Sequence, residues 1–529
     1  MVNVAQFILS FLPLALWNEP HIPAHEHPEH TPAKSIAIVG AGSGGLAALR
    51  TILNLPEDTR AGWEIVLYEQ HRNVGGLWLP DPPGYDARPP ELPESPVYPL
   101  LHTNTPHPTM TYPNFTFRPL TPLFPSWDYV EQYHVDFAEH FNLTPYIKLN
   151  HTVADVQWRG NAIKGKWDIE VHTRGEAGEL DVVKRKFDHL IVANGHNHYP
   201  YIPTWNGTEG WLANTPPGTP KREILHSIYY RDPEKYTNRS VIIVGAGASA
   251  RDAAQQVSPL AREAYQSISP SSVPAPGASV VVKPRILHFT DDSIVFVDGT
   301  VLTSVDSLIL GTGYEFLVPF LSASPSSPLN VDPQTAVNST TAHKLTTNLR
   351  YIFPLHRHIF SLSSSYPSTA LAFVGLPVLI ANCPSDIAQS LLIAHALANS
   401  SLLPTREAML DELVQHEDSL RVRGLDPYYV GHRLVGGDTE AQDYQDNLIE
   451  YLKKVGVLPD DGKKYVEPWR RLGRTESDLI RRGWQRVQEL GEDAKWLDGA
   501  LTEEDWAGVL VRLVEWQREW ENEHGIIWM

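Results

Sequence analysis

Apolar positions in this chain fall in short unbroken runs closed by polar turns, with helix-like spacing between them. The run Ser35–Val39 (SIAIV) passes directly into GAGSGG and then into the helix-forming LAALRTIL, which predicts strand, tight turn and helix. A second run, Glu64–Tyr68 (EIVLY), ends at Glu69. The same grammar returns at Ser240–Val244 (SVIIV), followed by Gly245, Gly247 and Ala250 within GAGASARDAA. Two further runs, FDHLIVANG (Phe187–Gly195) and VDSLILGTG (Val305–Gly313), read as central parallel strands that end in glycine and belong to the first fold. The expected fold class is α/β, with two Rossmann-like dinucleotide-binding domains, the second inserted into the first, and a C-terminal helical extension.

The boundaries follow from the joints. Residues 1–33 form an N-terminal segment, 34–204 the first part of the first domain, 205–300 the inserted domain, 301–403 the return, and 404–529 a helical region. The joints around the insert, YPYIPTWNG and SPSSVPAPG, are rich in Pro and Gly. In the last region the sequence turns charged, and Trp484, Trp496, Trp506, Trp516 and Trp520 are spaced as core anchors of an appendage packed on the body.

Each Gly-rich turn fits a phosphate. Gly40, Gly42 and Gly45 fill a GxGxxG pattern: the first permits the turn, the second lets backbone amides approach a pyrophosphate, and the third lets helix and strand pack. Glu69 lies 24 residues past Gly45, where an acid binds a ribose hydroxyl pair and favours an unphosphorylated ribose. Two such turns predict two dinucleotides.

Composition narrows the rest. At 529 residues, with 42% hydrophobic and 20% charged positions, the chain is a multidomain globular protein. Its 43 Lys and Arg against 62 Asp and Glu give a net charge of -19, which argues against nucleic acid and anionic membrane partners. Cys383 is the sole cysteine, so intramolecular disulfides, CxxC redox pairs and thiolate zinc clusters are excluded. No metal site is expected; the histidines of His21–Pro32 (HIPAHEHPEHTP) lie among prolines, as in a solvated linker. The apolar run Val4–Trp17 is too short to span a bilayer but long enough for a signal-peptide core. Asn-x-Ser/Thr sites stand at Asn114, Asn142, Asn150, Asn206, Asn238, Asn338 and Asn399, against roughly two or three by chance. Together these tilt the expectation towards the secretory pathway and a glycoprotein, with the cytoplasm as the alternative. The oligomeric state stays open, a homo-oligomer included.

Several ordered segments carry a family resemblance from about Ser35 to about Pro404. GAGSGGLAALR is followed by YEQHRNVGGLW (Tyr68–Trp78), VYPLLHTNTPHPTMTYPNFTF (Val97–Phe117), DHLIVANGHNHYPYIP, EILHSIYYRDP, VGAGASARD, ILGTGY, FPLHRHIF and LAFVGLP. The chain resembles the flavin-containing monooxygenases that oxygenate nitrogen and sulfur, fungal members in particular.

The resemblance implies FAD in the first fold, with Gly75, Gly76, Leu77 and Trp78 along the flavin, and NADPH in the second. It implies that NADPH reduces FAD, that O2 adds as a hydroperoxyflavin, and that a soft nucleophile of a small-molecule substrate takes the distal oxygen, as in secondary-metabolite tailoring. Asn104 matches the active-site asparagine, and Gly313 closes the glycine-rich strand end. The family's His-x-x-x-Phe/Tyr fingerprint is present as His226 and Tyr230, but Pro220 and Arg222 stand where an aromatic and a glycine are usual. Arg251, Arg262 and Ser267 are all candidates for the 2′-phosphate of NADPH. A Baeyer–Villiger monooxygenase is the alternative enzyme, ranked second because it usually has Trp where this chain has Tyr230. A non-oxygenating pseudoenzyme or redox sensor is the alternative of another class.

Overall fold

The structure is a computed structural model that describes residues 32–174, 179–334, 337–437 and 439–526. The expectations for Val4–Trp17 and for the histidine tract fall on residues 1–31, outside that range. The chain opens with β1 (Lys34–Val39), α1 (Ser43–Leu53) and β2 (Trp63–Tyr68), then α2 (Trp127–His140) and β3 (Ile147–Lys148). A meander of β4 (Thr152–Gly160), β5 (Gly165–Arg174) and β6 (Leu180–Phe187) leads into β7 (His189–Val192). The second domain holds α3 (Thr208–Ala213), β8 (Glu223–His226), β9 (Ser240–Val244), α4 (Ala248–Val257), β10 (Glu263–Ser267) and β11 (Val281–Lys283). It adds a small sheet of β12 (Ile286–Phe289), β13 (Ile294–Phe296) and β14 (Val301–Leu302), then β15 (Ser307–Leu310). The return comprises β16 (Leu329–Val331), β17 (Leu345–Thr347), β18 (Ile352–Phe353), β19 (Leu355–His356), β20 (Phe360–Ser361), β21 (Leu371–Phe373) and α5 (Asn382–Ala398).

Over the described residues the first sheet has the order β19-β20-β21-β7-β1-β2-β3. Its centre is parallel, with Ile36 in register with Ile65 on one side and His189 on the other. Both faces are covered, which is why β1 and β7 read as unbroken apolar runs rather than as alternation. Leu46, Ala47, Leu49 and Ile52 of α1 pack with Ala388, Leu392 and Ile393 of α5 on one face; Trp167 and Ile169 of the meander join Val192 and Phe373 on the other.

The second sheet runs β11-β10-β9-β15-β8, all parallel. This corrects the placement of Val305–Gly313. That run supplies β15, paired with β9 (Leu308 with Ile242) and β8 (Leu308 with Ile224), so it belongs to the second fold and not the first. The chain returns only beyond Gly313, where Phe316, Val318 and Phe320 join the core under the meander. A central strand buried on both faces looks the same in either sheet, and only its hydrogen-bonded neighbours distinguish the two.

Beyond residue 404 lie α6 (Arg406–Val422), α7 (Pro427–Val430), α8 (Glu440–Lys454), α9 (Pro468–Thr475), α10 (Ser477–Glu489), α11 (Asp493–Leu497) and α12 (Glu503–Glu523). A capping box between Thr502 and Asp505 starts α12. Trp484 and Trp506 are buried in this region's own core with Ile480, Leu510 and Leu513, while Trp496 and Trp516 pack at its edge. The same core takes in Leu123 of the first domain. The docking is polar as well: Arg470, 5% exposed, donates to the Pro108 and Thr111 carbonyls, the Thr111 hydroxyl and Glu503.

All seven sequon asparagines are exposed. Asn114, Asn142, Asn150 and Asn238 hold φ of 62°, 51°, 57° and 58°. Asparagine tolerates that left-handed region better than most non-glycine residues, so turn geometry alone accounts for its presence at those four sites.

Replacing Arg470 with Met leaves Glu503 and three acceptors of the 108–111 segment without their buried donor, at a cost of about 3–5 kcal/mol. The expected result is a lower denaturant midpoint with early proteolytic release of the region after residue 468. Unchanged stability and protease pattern would show that apolar contacts alone dock the helices.

Candidate active site between the two glycine turns

Space around the first turn is decided by backbone. Gly40 has φ 102°, and a Cβ there would stand 2.5 Å from the Ala193 carbonyl oxygen; on Gly45 it would stand 1.8 Å from the carbonyl oxygen of Gly40. Gly42 differs. A Cβ on it would meet only the backbone of Gly76, its Cα at 3.4 Å and its N at 3.9 Å, so one face of the turn is bare backbone at the start of α1. Orphan amides at a helix start and a bare glycine face fit the pyrophosphate of a dinucleotide. Gly76 (φ 56°) must also lack a side chain, since its Cβ would lie 2.8 Å from Gly42. Glu69 is buried beside the turn, its carboxylate accepting from the amides of Ala41 (2.6 Å) and His71 (2.9 Å). Gly76, Leu77 and Trp78 form one half-buried helical turn, with the Leu77 carbonyl accepting from Ser95 Oγ at 2.6 Å.

The second turn repeats the design with one exchange. A Cβ on Gly245 (φ 113°) would lie 2.4 Å from the Gly311 carbonyl oxygen, whereas Gly247 has nothing within 4 Å. At the third position Ala250 is fully buried, and its methyl fits because the facing residue is Gly311, whose own Cβ would lie 2.5 Å from it. The methyl has moved from one wall to the other.

His226 and Tyr230 pin the linker between the domains. His226 Nδ1 accepts from the Ile228 amide, so Nε2 carries the proton and donates to the Gly313 carbonyl at 3.0 Å. Burial lowers its pKa to about 4, which keeps the ring neutral. Tyr230 is buried, edge-on to Tyr98, with its hydroxyl on Gln256 at 2.9 Å. Both side chains have their polar atoms taken up within the protein. Arg222 is buried too, donating to the carbonyls of Trp211, Asn214, Asp291 and Asp292, so it braces α3. Among the 2′-phosphate candidates, Arg262 is bound to Asp306 and the Asn238 carbonyl, and Ser267 is buried with its hydroxyl on the Pro284 carbonyl. Arg251, exposed one turn into α4, has no partner among the described residues.

Asn104 lies exposed in a loop pinned on both sides, by Thr103 N to the Pro125 carbonyl and His107 N to the Leu123 carbonyl, each 2.9 Å. Its own carbonyl accepts from Arg481 of α10, whose guanidinium sits 4.5 Å over Phe124. Upstream, the Tyr98 hydroxyl bonds Asp252 of α4, a carboxyl that burial raises to about 6. His107 is fully buried between Phe117 and Trp506, and burial lowers it to about 3. The loop is thus tied to the second domain and the C-terminal helices at once. Arg470 and Arg481 lie outside every motif, and Tyr98 and Asp252 lie within quoted segments that give no sign of their pairing, so only spatial neighbours mark these four residues.

Beneath α1, burial pushes Asp386 of α5 up to about 7, a hydrogen bond from Ser43 offsetting it only in part. Cys383, one turn before it, is 3% exposed and burial holds its thiol well above the ordinary value, so it is a structural and not a reactive cysteine.

With this geometry in place, comparison with known proteins decides the class. The family model described as "Flavin-binding monooxygenase-like" matches residues 33–275 and 269–424. The chain belongs to that family. Flavin-containing monooxygenase FMO GS-OX2 of Arabidopsis thaliana is 28% identical over 501 residues, covering 90% of this chain and 95% of the relative. Among solved structures, S-allyl-L-cysteine S-oxygenase from Allium sativum overlays with TM-score 0.66 at 24% identity, over 93% of this chain and 99% of its own. Cyclohexanone monooxygenase shares the fold with TM-score 0.51 at 11% identity, over 80% of this chain and 98% of its own. The protein is therefore a flavin-dependent monooxygenase with a mixed α/β fold. Among the described residues, no helix is long and apolar enough to cross a membrane.

The raised Asp386 carboxyl predicts that stability depends on pH. Below its ordinary value of 3.8 the carboxyl is protonated whether folded or not, and nothing is lost. Between about 4 and about 7 only the unfolded chain ionises, so stability falls as pH rises and then levels, by up to roughly 4 kcal/mol. Asp386→Asn removes this penalty, and its denaturant midpoint relative to wild type should climb from about pH 4.5 to about pH 7.5. A difference that does not vary with pH would mean that the carboxyl titrates normally.

Proposed function

We propose that the protein uses NADPH and O2 to oxygenate a soft nitrogen or sulfur nucleophile of a small molecule. The observation that carries this reading is the bonding of the Asn104 segment to both nucleotide turns: Ser95 to Leu77 beside the first, and Tyr98 to Asp252 on the helix that leaves the second. Gly42 and the start of α1 would hold the FAD pyrophosphate, and Glu69 its ribose. Gly245, Gly247 and the start of α4 would hold the NADPH pyrophosphate, and Arg251 the 2′-phosphate. When bound, the flavin supplies the redox chemistry, accepting hydride from the pyridine nucleotide and activating O2.

The chain's own contribution is placement and exclusion of water. Asn104 offers a neutral amide that donates and accepts without titrating. Its backbone carbonyl is held by Arg481 and its loop is pinned at Thr103 and His107, which fixes the backbone from which the side-chain amide would act. His226, fixed as one neutral tautomer, and Tyr230 hold the linker at a set distance from Gly313 without adding a titrating group to the cleft. The single buried thiol takes no part.

Gly247→Ala tests the second nucleotide site cleanly, because the methyl enters open space and leaves the fold intact. FAD content should be unchanged while NADPH reduces the flavin more slowly; normal reduction in stopped flow would remove the assignment. Asn104→Ala should leave reduction near normal and divert NADPH consumption into hydrogen peroxide. Loss of one such donor costs about 3 kcal/mol, or roughly two orders of magnitude in the ratio of product to peroxide. A variant that still couples NADPH to product would assign Asn104 to the turn alone.

A further inference from the structure

The first glycine turn, the end of β21 and α5 meet at one buried carboxyl group. Asp386 lies one turn into α5, 1% exposed, and takes a hydrogen bond from the side chain of Ser43, the residue that follows Gly42 at the start of α1. Its Oδ1 stands 3.5 Å from where a Cβ on Gly375 would lie, and its Oδ2 is buried with no partner among the described residues. The backbone on both sides is fixed. Gly375 N donates to Gln389 Oε1 at 3.0 Å, the Gly375 carbonyl accepts from His196 Nδ1 at 3.1 Å, and the Ser43 carbonyl accepts from the Tyr112 hydroxyl at 2.8 Å.

The groups that face this carboxyl are neutral. They are Tyr112, Cys383 on its own helix, Tyr444 of α8 and Tyr465 ahead of α9, and burial raises the pKa of all four. His196, on the other side of Gly375, is lowered by burial to about 4 and is neutral as well. Charge stands one step further out: Arg470 acts on Cys383 and Tyr465, Glu467 and Glu503 on Tyr465, and Arg357 on Tyr444. On Asp386 itself burial outweighs the Ser43 bond and raises the carboxyl to about 7. Ionised, it would place an uncompensated negative charge beside the α1 amides that a pyrophosphate needs, and two negative groups sharing one site oppose each other.

We propose that Asp386 is a positioning residue of the flavin nucleotide site that works only as the neutral acid: through Ser43 it sets the start of α1 for the pyrophosphate, and loss of its proton loosens the hold on FAD. This rests on the reading above that the Gly42 turn takes the FAD pyrophosphate. The coupling has a fixed sign, since an anionic ligand at the turn favours the protonated acid, so FAD affinity is highest below about pH 6 and falls as pH rises through about 7.

The test uses the full-length FAD-loaded protein and follows, by flavin fluorescence, the FAD released on dilution between about pH 5.5 and about pH 8.5, with circular dichroism reporting the intact fold. The dissociation constant should be level below about pH 6 and about tenfold larger at about pH 8.5. His71, paired with Glu69, also gains charge as pH falls, so the measure is the difference between wild type and Asp386→Asn. Asp386→Asn should hold FAD tightly throughout, with most of the rise gone. Ser43→Ala removes the bond that favours the ionised form, and its rise should start higher by roughly half a pH unit or more. A level wild-type profile, a profile unchanged in Asp386→Asn, or an onset unmoved by Ser43→Ala overturns the proposal. Gly42→Ala separates this from the reading beneath it: FAD held as tightly as in wild type means that the turn does not bind the pyrophosphate and the reading fails. FAD lost from Gly42→Ala while Asp386→Asn follows wild type means that only the role of Asp386 fails.

Discussion

A single missing carbon governs this molecule. At the turn between β1 and α1, a Cβ on Gly45 would lie 1.8 Å from the Gly40 carbonyl oxygen, so strand and helix pack at a distance only glycine allows. That approach aims the amides at the start of α1 past Gly42, and it brings Gly76 of the next loop within van der Waals reach of Gly42. The loop through Trp78 continues from Gly76, and the Ser95 hydroxyl holds its Leu77 carbonyl on the segment that runs on to Asn104. Close backbone approach is rigid in a way that side-chain contact is not, because no rotamer can relieve it.

In the second domain the same constraint is met differently. Ala250 stands where glycine is usual, and Gly311 at the end of β15 gives up its side chain in return. This pairing explains why β15 must neighbour β9. The strand that ends in GTG is a wall of the second glycine turn, and Gly313, two residues on, receives both His226 and Tyr201. Domain boundary, nucleotide turn and linker are one piece of geometry.

The C-terminal helices belong to that geometry also. Arg470 reaches the 108–111 carbonyls and Arg481 the Asn104 carbonyl, and Trp506 closes on the buried His107. A region that carries none of the nucleotide motifs therefore holds the loop on which oxygen transfer is proposed to depend. Trp484 and Trp506 are core anchors there with Trp496 and Trp516 at the edge, while Trp520 lies outside that core under Arg486, and the region is a brace of the candidate active site and more than an appendage.

Much of this was legible in the chain because it is local. A β-branched run, a GxGxxG turn and a helix-forming stretch are specified by neighbours within about 20 residues, and φ above zero at Gly40 and Gly245 is a demand each turn makes on its own sequence. Glu69 was legible too, since its distance from Gly45 is set by one helix and one strand. What the sequence could not state is which elements meet. VDSLILGTG is an equally good centre for either sheet, and its register beside Ile242 is a tertiary fact. Arg222 stands at a position usual for glycine, and only the fold shows it to be a buried brace of α3. The Arg481–Asn104 and Arg470–Pro108 contacts join residues 377 and 362 positions apart. Periodicity and turn chemistry act over one or two elements, whereas a long-range side-chain bond exists only once packing has fixed both ends, and so the motifs were readable in advance while the residues that hold them in place were decided by the fold.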